Sequence, residues 1–572
     1  MSTPNTAPFP ILTVSQLRFT YRGAGQPALD DVSFIQNRNE FIAIMGQSGA
    51  GKSTLCRRLN GLIPVFVKGE LTGELSIDGR LVEHSQVYAT AREVGLVFQD
   101  FEAQLFSTNV ELEVAFALEN FAISRNEMVV RVREALARVG LAGFETRDPS
   151  TLSGGEKQRL AIASVLAGRP RIVVMDEPTT DLDPIGKREV FELAQVLRNE
   201  LEGIILVEHE TEHVLLADRL VFMKDGRIVR DGTPGDLLAD PDAVEALGIR
   251  PLQTTVLLKR LGLPTDALTI ADAAIVIKQA GWRVKDTTGI GAAPSRPVDT
   301  PALEPVIEVK QLTYRYETGK VAVDAVSLTI QRGEFVAIVG QNGCGKTTLV
   351  KQFNGLSLPT TGTVTVLGKD TRSWRLSDLG RKVGYVFQNP DHQIFANTIW
   401  EEVAFGPKNY GYSEEEIRLQ VANALLVVGL GGRETHDPFG LTKGERQQLA
   451  VASVLATAPE ILILDEPTTG LDYTGQRAIL DLVRRLNAAG TTVVMITHSM
   501  WVVAEYASRC VLMNKGQVVM DTDIPDCFAD LDLLESLSLE APEAVRLGKE
   551  LNIAARHVDG IVACLEKPIS AL

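Results

Sequence analysis

"FIAIMGQSGAGKST", residues 41–54, ends a short β-rich apolar run with the pattern G-x-x-x-x-G-K-[ST], and "FVAIVGQNGCGKTT", residues 335–348, does the same. A strand that feeds a glycine-rich turn and then a helix is a phosphate-binding loop. Gly46, Gly49 and Gly51, with Gly340, Gly343 and Gly345 in the second copy, let backbone N–H groups converge on phosphate oxygens, and the helix that follows adds its positive end. Gln47, Ser48 and Ala50, and Gln341, Asn342 and Cys344, fill the variable positions of the two loops. Lys52 and Lys346 are placed to neutralise β and γ phosphates. The hydroxyls of Ser53 and Thr347 are placed to coordinate magnesium, and Thr54 and Thr348 complete the two motifs.

Working outward, Lys346 follows Lys52 by 294 positions, whereas Gln99, Gly155, Asp176 and His209 match Gln388, Gly444, Asp465 and His498 at a constant offset of 289. The chain is a duplication, with five residues fewer between the first two motifs of the second copy. So long a repeat unit describes two whole domains rather than a solenoid. The first domain is read over 1–240 and the second over 306–525. A small helical extension of the first spans 241–287, a Pro-rich linker 288–305, and a helical tail 526–572.

"RIVVMDEP" (171–178) and "EILILDEP" (460–467) are buried-strand runs that end in paired acids. Asp176 and Asp465 are placed to hold magnesium, and Glu177 and Glu466 to polarise an attacking water. His209 in "IILVEHE" and His498 in "VVMITHS" end further apolar runs, 33 positions after the aspartate in both copies. A lone histidine there is more often structural; the repeated spacing points to catalysis.

The chain has 572 residues, too many for one hydrophobic core, and no apolar run long enough to span a bilayer. "MSTPNTAPFP" at the start lacks the basic and apolar regions of a signal peptide, so a cytoplasmic chain is expected. A net charge of −16 argues against nucleic acid as the main partner. Five cysteines without C-x-x-C spacing read as free thiols. Cys344, inside a phosphate loop, is either a small tolerated residue or a thiol activated by the helix N-terminus.

These residues resemble ATP-binding-cassette (ABC) ATPases over nearly all of both halves, and "LSGGE" (152–156) separates that family from other phosphate-loop enzymes. The resemblance implies an α/β fold. It consists of two ABC-type NTPase domains in tandem, each with a parallel-sheet core, an antiparallel β subdomain and an α-helical subdomain. ATP and Mg2+ are the implied cofactors and ATP hydrolysis the implied activity. Tyr21 and Tyr316 match adenine-stacking aromatics, and Gln99 and Gln388 match the glutamine that contacts magnesium and relays movement to a membrane partner. Leu182 with Asp183, and Leu471 with Asp472, match the loop that crosses between paired cassettes. Ser153, Gly154, Gly155 and Glu156 form one signature; Thr442, Lys443, Gly444 and Glu445 form the other.

In the helical subdomains "SRNE" (124–127) and "SEEE" (413–416) read as capping boxes. Val132, Ala135, Leu136 and Val139, and Ile417, Val421, Ala424, Leu425 and Val428, are read as core stripes.

Cassettes of this family pair head to tail, so the two are expected to pair within the chain. Site one would join Lys52, Asp176, Glu177 and His209 to "LTKGE" (441–445). Site two would join Lys346, Asp465, Glu466 and His498 to "LSGGE". Lys443 adds a side chain and a charge where Gly154 allows close backbone approach; if φ were positive there it would cost about 1–2 kcal/mol. Site one is therefore expected to bind ATP and hydrolyse it more slowly.

"VFQNPDHQIFANTIWEEVAFGPKNYGYSEEEI" (386–417) resembles the ATPases of energy-coupling factor importers, which take up vitamins and transition-metal ions. That resemblance implies a coupling transmembrane protein, a separate substrate-capturing membrane protein, and a peripheral position at the cytoplasmic membrane face. The first half, "VFQDFEAQLFSTNVELEVAFALEN" (97–120), keeps Gln104 and "EVAF" but lacks Asn-Pro-Asp. The alternatives are a fused ATPase of a sugar or peptide importer and a twin-cassette ribosome-binding factor. The four prolines in 288–305 disfavour the charged helical arm of the latter.

Overall fold

The computed structural model describes residues 10–83, 87–180, 182–285 and 304–567. Residues 1–9, in the stretch read for a signal peptide, and most of the linker read at 288–305 lie outside the described residues. The chain divides into two compact units, Met1–Thr255 and Val256–Leu572.

In the first unit a six-stranded sheet runs in the order Arg227–Gly232, Arg219–Lys224, Glu40–Met45, Gly203–Val207, Ile172–Asp176, Val94–Val97. All neighbours are parallel except the outermost pair at the Arg227–Gly232 edge. Ile172–Asp176 and Gly203–Val207 are buried at every position, as parallel strands covered on both faces must be. A four-stranded antiparallel sheet, led by Leu29–Asn37 and Pro10–Tyr21, alternates buried and exposed positions instead. The second unit repeats both sheets in the same order, with Phe335–Val339 as the strand before its phosphate loop.

The register places the chemistry. Asp176 pairs with Val207 and Ile44 with Val207, so one edge collects the phosphate loop, the acids and His209 at the carboxyl ends of adjacent parallel strands. Asp465 pairs with Ile496 in the same way. Open parallel sheets bind ligands at that edge.

Three helices form each helical subdomain: Val110–Asn120, Arg125–Arg138 and Gly154–Ala167 in one, Ile399–Asn409, Glu414–Val427 and Lys443–Leu455 in the other. Their predicted stripes are buried, from Val132 to Val139 and from Ile417 to Val428. Ser413 and Glu416 make the expected reciprocal cap. Ser124 makes no side-chain cap, so the box read at 124–127 is not formed, and the Glu127 carboxylate pairs instead with Arg131 at 2.9 Å.

The helical hairpin read as an extension of the first domain shares its core with the tail. Leu257, Leu258, Ala274 and Ile277 pack with Leu547 and Ile561. Short strands pair Arg283 with Glu566 and Val284 with Leu565, and Arg260 meets Asp559 at 2.8 Å. Among the described residues no helix is long and apolar enough to cross a membrane.

Candidate functional site

Both phosphate loops depend on glycine at the residue before the lysine. Gly51 and Gly345 have φ of 97° and 105°, and a Cβ there would lie 2.4 Å from Ala28 O and 2.2 Å from Ala322 O. Each lysine is buried and folded over its own loop: Lys52 Nζ donates to Gly46 O (2.8 Å) and Gln47 O (3.0 Å), and Lys346 Nζ to Gly340 O (2.8 Å) and Gln341 O (2.9 Å). The hydroxyls expected to share a cation with the aspartates face them. Ser53 Oγ is 3.1 Å from Asp176 Oδ1 and Thr347 Oγ1 3.3 Å from Asp465 Oδ1. In the second unit these groups border a cleft of about 330 Å³, lined among others by Tyr316, Asn342, Lys346, Gln388 and Glu466.

The two glutamates sit in left-handed backbone, φ 49° at Glu177 and 47° at Glu466, a conformation disfavoured for a residue with a Cβ. Strain of this kind, kept at the same position of both units, marks a functional site. Around Glu177 both oxygens are engaged. Oε2 accepts from Gln99 Nε2 at 2.6 Å, Oε1 meets His209 Nε2 at 2.6 Å, and Lys52 Nζ stands 3.6 Å from Oε1. Around Glu466 the contacts are longer and fall on Oε2: Gln388 Nε2 at 3.3 Å, Thr469 Oγ1 at 3.4 Å, and His498 Nδ1 at 3.3 Å outside hydrogen-bonding geometry.

Burial, reinforced by the neighbouring Glu177, pushes the Asp176 carboxyl up to about 6. Burial also raises Asp465, against hydrogen bonds from Tyr385 and Thr347. Burial works to raise Glu466 too, but the approach of His498 and the charge of Lys346 hold it below the ordinary carboxylate range. Cys344 is almost fully buried, and burial raises its thiol despite the nearby Lys346, the surroundings of a small tolerated loop residue rather than of an activated thiol.

Tyr21 and Tyr316 lie at the mouths of the loops, each hydroxyl 2.8 Å from the loop threonine, Thr54 or Thr348. Leu182 and Leu471 are buried, and Asp183 and Asp472 cap the helices after them through Gly186 N (2.9 Å) and Gly475 N (2.8 Å).

The signatures start helices, and each is itself a capping box, which the sequence reading missed. Ser153 and Glu156 cap reciprocally, as do Thr442 and Glu445, so Thr442 replaces Ser153 without losing the cap. Lys443 is the first helical residue and is not among the left-handed positions, which removes the backbone cost considered for it. Its side chain lies over Gly470 of its own unit, where a Cβ would fall 2.2 Å from Lys443 Nζ. The first copy has the opposite sizes at these positions, Gly154 and Asp181.

Beyond each glutamine, a buried carboxylate shapes an exposed aromatic surface. Glu113 accepts from Phe106 N (3.0 Å) and Ser107 N (2.7 Å), and Glu402 from Phe395 N (3.0 Å) and Ala396 N (2.9 Å). The loops so held present Phe106 edge-on to Phe116, centroids 4.5 Å apart, and Phe395 to Phe405 at 4.7 Å. All four rings are 44–61% exposed, an unusual cost for paired phenylalanines in water. Ion pairs tie the same loops to the signature helices: Arg446 to Asp391 at 2.7 Å, and Lys157 to Glu102.

A family model described as "ABC transporter" matches residues 29–180 and 323–469. A protein of Caldanaerobacter subterraneus subsp. tengcongensis is 47% identical over 97% of this chain and 99% of its own length; one of Methanosarcina acetivorans is 39% identical over 96% and 91%. Both carry the name "Putative ABC transporter ATP-binding protein". The solved structure of cbiO1 from Clostridium perfringens, described as part of the ABC transporter complex cbiONQ, is 33% identical. That match covers 43% of this chain and 99% of cbiO1, with a TM-score of 0.39.

Proposed function

The chain belongs to the ABC transporter family, and its two tandem cassettes hydrolyse ATP; from that premise we propose that it powers a membrane importer of the energy-coupling factor type, carrying a vitamin or transition-metal ion. The observation that carries this reading is the exposed phenylalanine pair beyond Gln388, within the segment whose sequence resembles those importers, repeated beyond Gln99 in the more divergent first half. The pairs offer apolar docking points to a coupling transmembrane protein. Ion pairs from those loops to the signature helices give a mechanical path from docking surface to ATP site. The chain works at the cytoplasmic membrane face, and a separate membrane protein captures the cargo.

The residues present suit Mg2+, a hard cation that prefers oxygen ligands. Ser53 with Asp176, and Thr347 with Asp465, bring oxygens within 3.1 and 3.3 Å of each other, and would hold the ion together with the amide oxygens of Gln99 and Gln388. The chemistry such an ion would supply there is positive charge against that developing on the phosphates. The chain does the rest. Lys52 and Lys346 exchange their loop carbonyls for phosphate oxygens; Tyr21 and Tyr316 stack on adenine. Glu177 and Glu466 orient and polarise water, Glu177 held by His209 and Glu466 approached by His498. The cassettes pair head to tail, Leu182, Asp183, Leu471 and Asp472 lying at the crossing, and site one, closed by Lys443, holds ATP longer than site two.

Titration of Asp176 gives a test of the ligand assignment. A carboxyl near 6 is almost fully ionised at pH 7.5 and about one-quarter ionised at pH 5.5. Cation binding at site one should therefore weaken by about fourfold across that range and release a proton, measurable by calorimetry in buffers of different ionisation enthalpy. Asp176→Asn should abolish the proton release from this site; persistence of the full release would exclude Asp176.

The importer reading is tested by purifying the tagged chain from its own membranes and identifying its companions. One small helical coupling protein plus one or more substrate-capturing proteins is the expected result. A conventional permease pair, or ribosomes, would overturn it.

A further inference from the structure

The two cassettes differ at a buried position that touches the cation site. Tyr385 lies on Val383–Val386, the parallel neighbour of Ile461–Asp465, and its hydroxyl donates to Asp465 Oδ2 at 2.7 Å. Thr347 Oγ1 reaches the other oxygen, Oδ1, at 3.3 Å. Both carboxylate oxygens are thereby fixed from protein groups on two different elements. The equivalent of Tyr385 in the first cassette, at the same offset as the glutamines, is Leu96, buried and unable to donate. Ser53 Oγ contacts Asp176 Oδ1 there.

We propose that Tyr385 is a positioning residue that holds Asp465 in the orientation a divalent cation needs, so that the second cassette binds the cation more tightly than the first. The inference rests on the reading of Asp465 as a cation ligand. A carboxylate that accepts a bond from a buried phenol has lost its freedom to rotate, and that restraint is in place before the cation arrives. Outer partners of this kind change metal affinity by about 10- to 100-fold when removed. Tyr385 is 9% exposed and packs edge-on against Phe387 at 5.0 Å, so its ring is anchored independently of the hydroxyl. Loss of the oxygen alone should leave the ring where it is.

The experiment titrates Mn2+ into the full-length chain saturated with a non-hydrolysable ATP analogue, reading free Mn2+ by electron paramagnetic resonance. The wild-type chain should show a tight and a weaker class of sites. Tyr385→Phe should weaken the tight class by about tenfold or more and leave the weaker one, with the fold retained by circular dichroism. Tyr385→Leu, which copies the first cassette, should do the same. Loss of affinity in Tyr385→Leu but not in Tyr385→Phe would assign the effect to ring packing and overturn the proposal, as would two wild-type isotherms. If the wild-type chain with nucleotide fails to bind Mn2+, the ligand reading of Asp465 itself fails.

Discussion

Glu466→Gln should reduce steady-state ATP hydrolysis by at least about tenfold, whereas Glu177→Gln should reduce it by less than about twofold. Removing a positioned general base costs about 10²- to 10⁴-fold at the site where it acts, so the two variants report how turnovers are divided. Site two, as proposed, faces the glycine signature at Ser153, Gly154 and Gly155. Glu466 takes its described contacts on one oxygen, at 3.3–3.4 Å. Glu177 has both oxygens engaged at 2.6 Å, and the proposal assigns Lys443 to its site. Lys443 extends over Gly470 of its own unit without backbone strain, and in the proposal its added side chain and charge slow turnover at site one. Lys443→Gly in the Glu466→Gln background should then raise the residual rate several-fold. Equal losses in the two glutamate variants, measured by phosphate release, would refute the division.

The second large effect concerns the docking surface. Replacing Phe395 and Phe405 together by Asp should release the chain from its membrane partner, and Phe106 with Phe116 should show a separate, smaller loss if the two grooves are engaged unequally. Rings that are about half exposed have roughly half of a phenylalanine's burial energy still to gain, about 2 to 3 kcal/mol per groove. That corresponds to about thirtyfold to a hundredfold in affinity, and burying carboxylates in the same place adds a desolvation cost. Co-purification from membranes measures the effect, with circular dichroism as the control for fold. Retention of the partner by both double variants would remove these phenylalanines from the interface.

The duplicated motifs made the α/β architecture legible, because a phosphate loop, paired acids at a strand end and a signature in constant register admit few folds. The geometry around Asp176, Glu177, Asp465 and Glu466 joins residues that the sequence could relate only by spacing. Other features needed tertiary structure. Tyr385 and Leu96 differ by one letter in "GYVFQ" and "GLVFQ", and nothing local says that the phenol reaches Asp465 across a strand pair. Glu113 and Glu402 look like surface acids within "EVAF" until their backbone partners at Phe106 and Phe395 are known. The capping box in each signature is legible as S/T-x-x-E, with Ser153 and Glu156 in one and Thr442 and Glu445 in the other. The shared core of Leu257 and Leu547 could not be read locally, since its halves lie almost three hundred residues apart in sequence.

The most direct test of unequal sites is a single-turnover measurement on the wild-type chain in complex with its membrane partner, with both sites loaded with radiolabelled ATP and hydrolysis followed after a chase of unlabelled nucleotide. Two phases of about equal amplitude, the slow one accelerated by Lys443→Gly and the fast one lost in Glu466→Gln, are the expected result. A single phase accounting for both nucleotides, unchanged by Lys443→Gly, would contradict it.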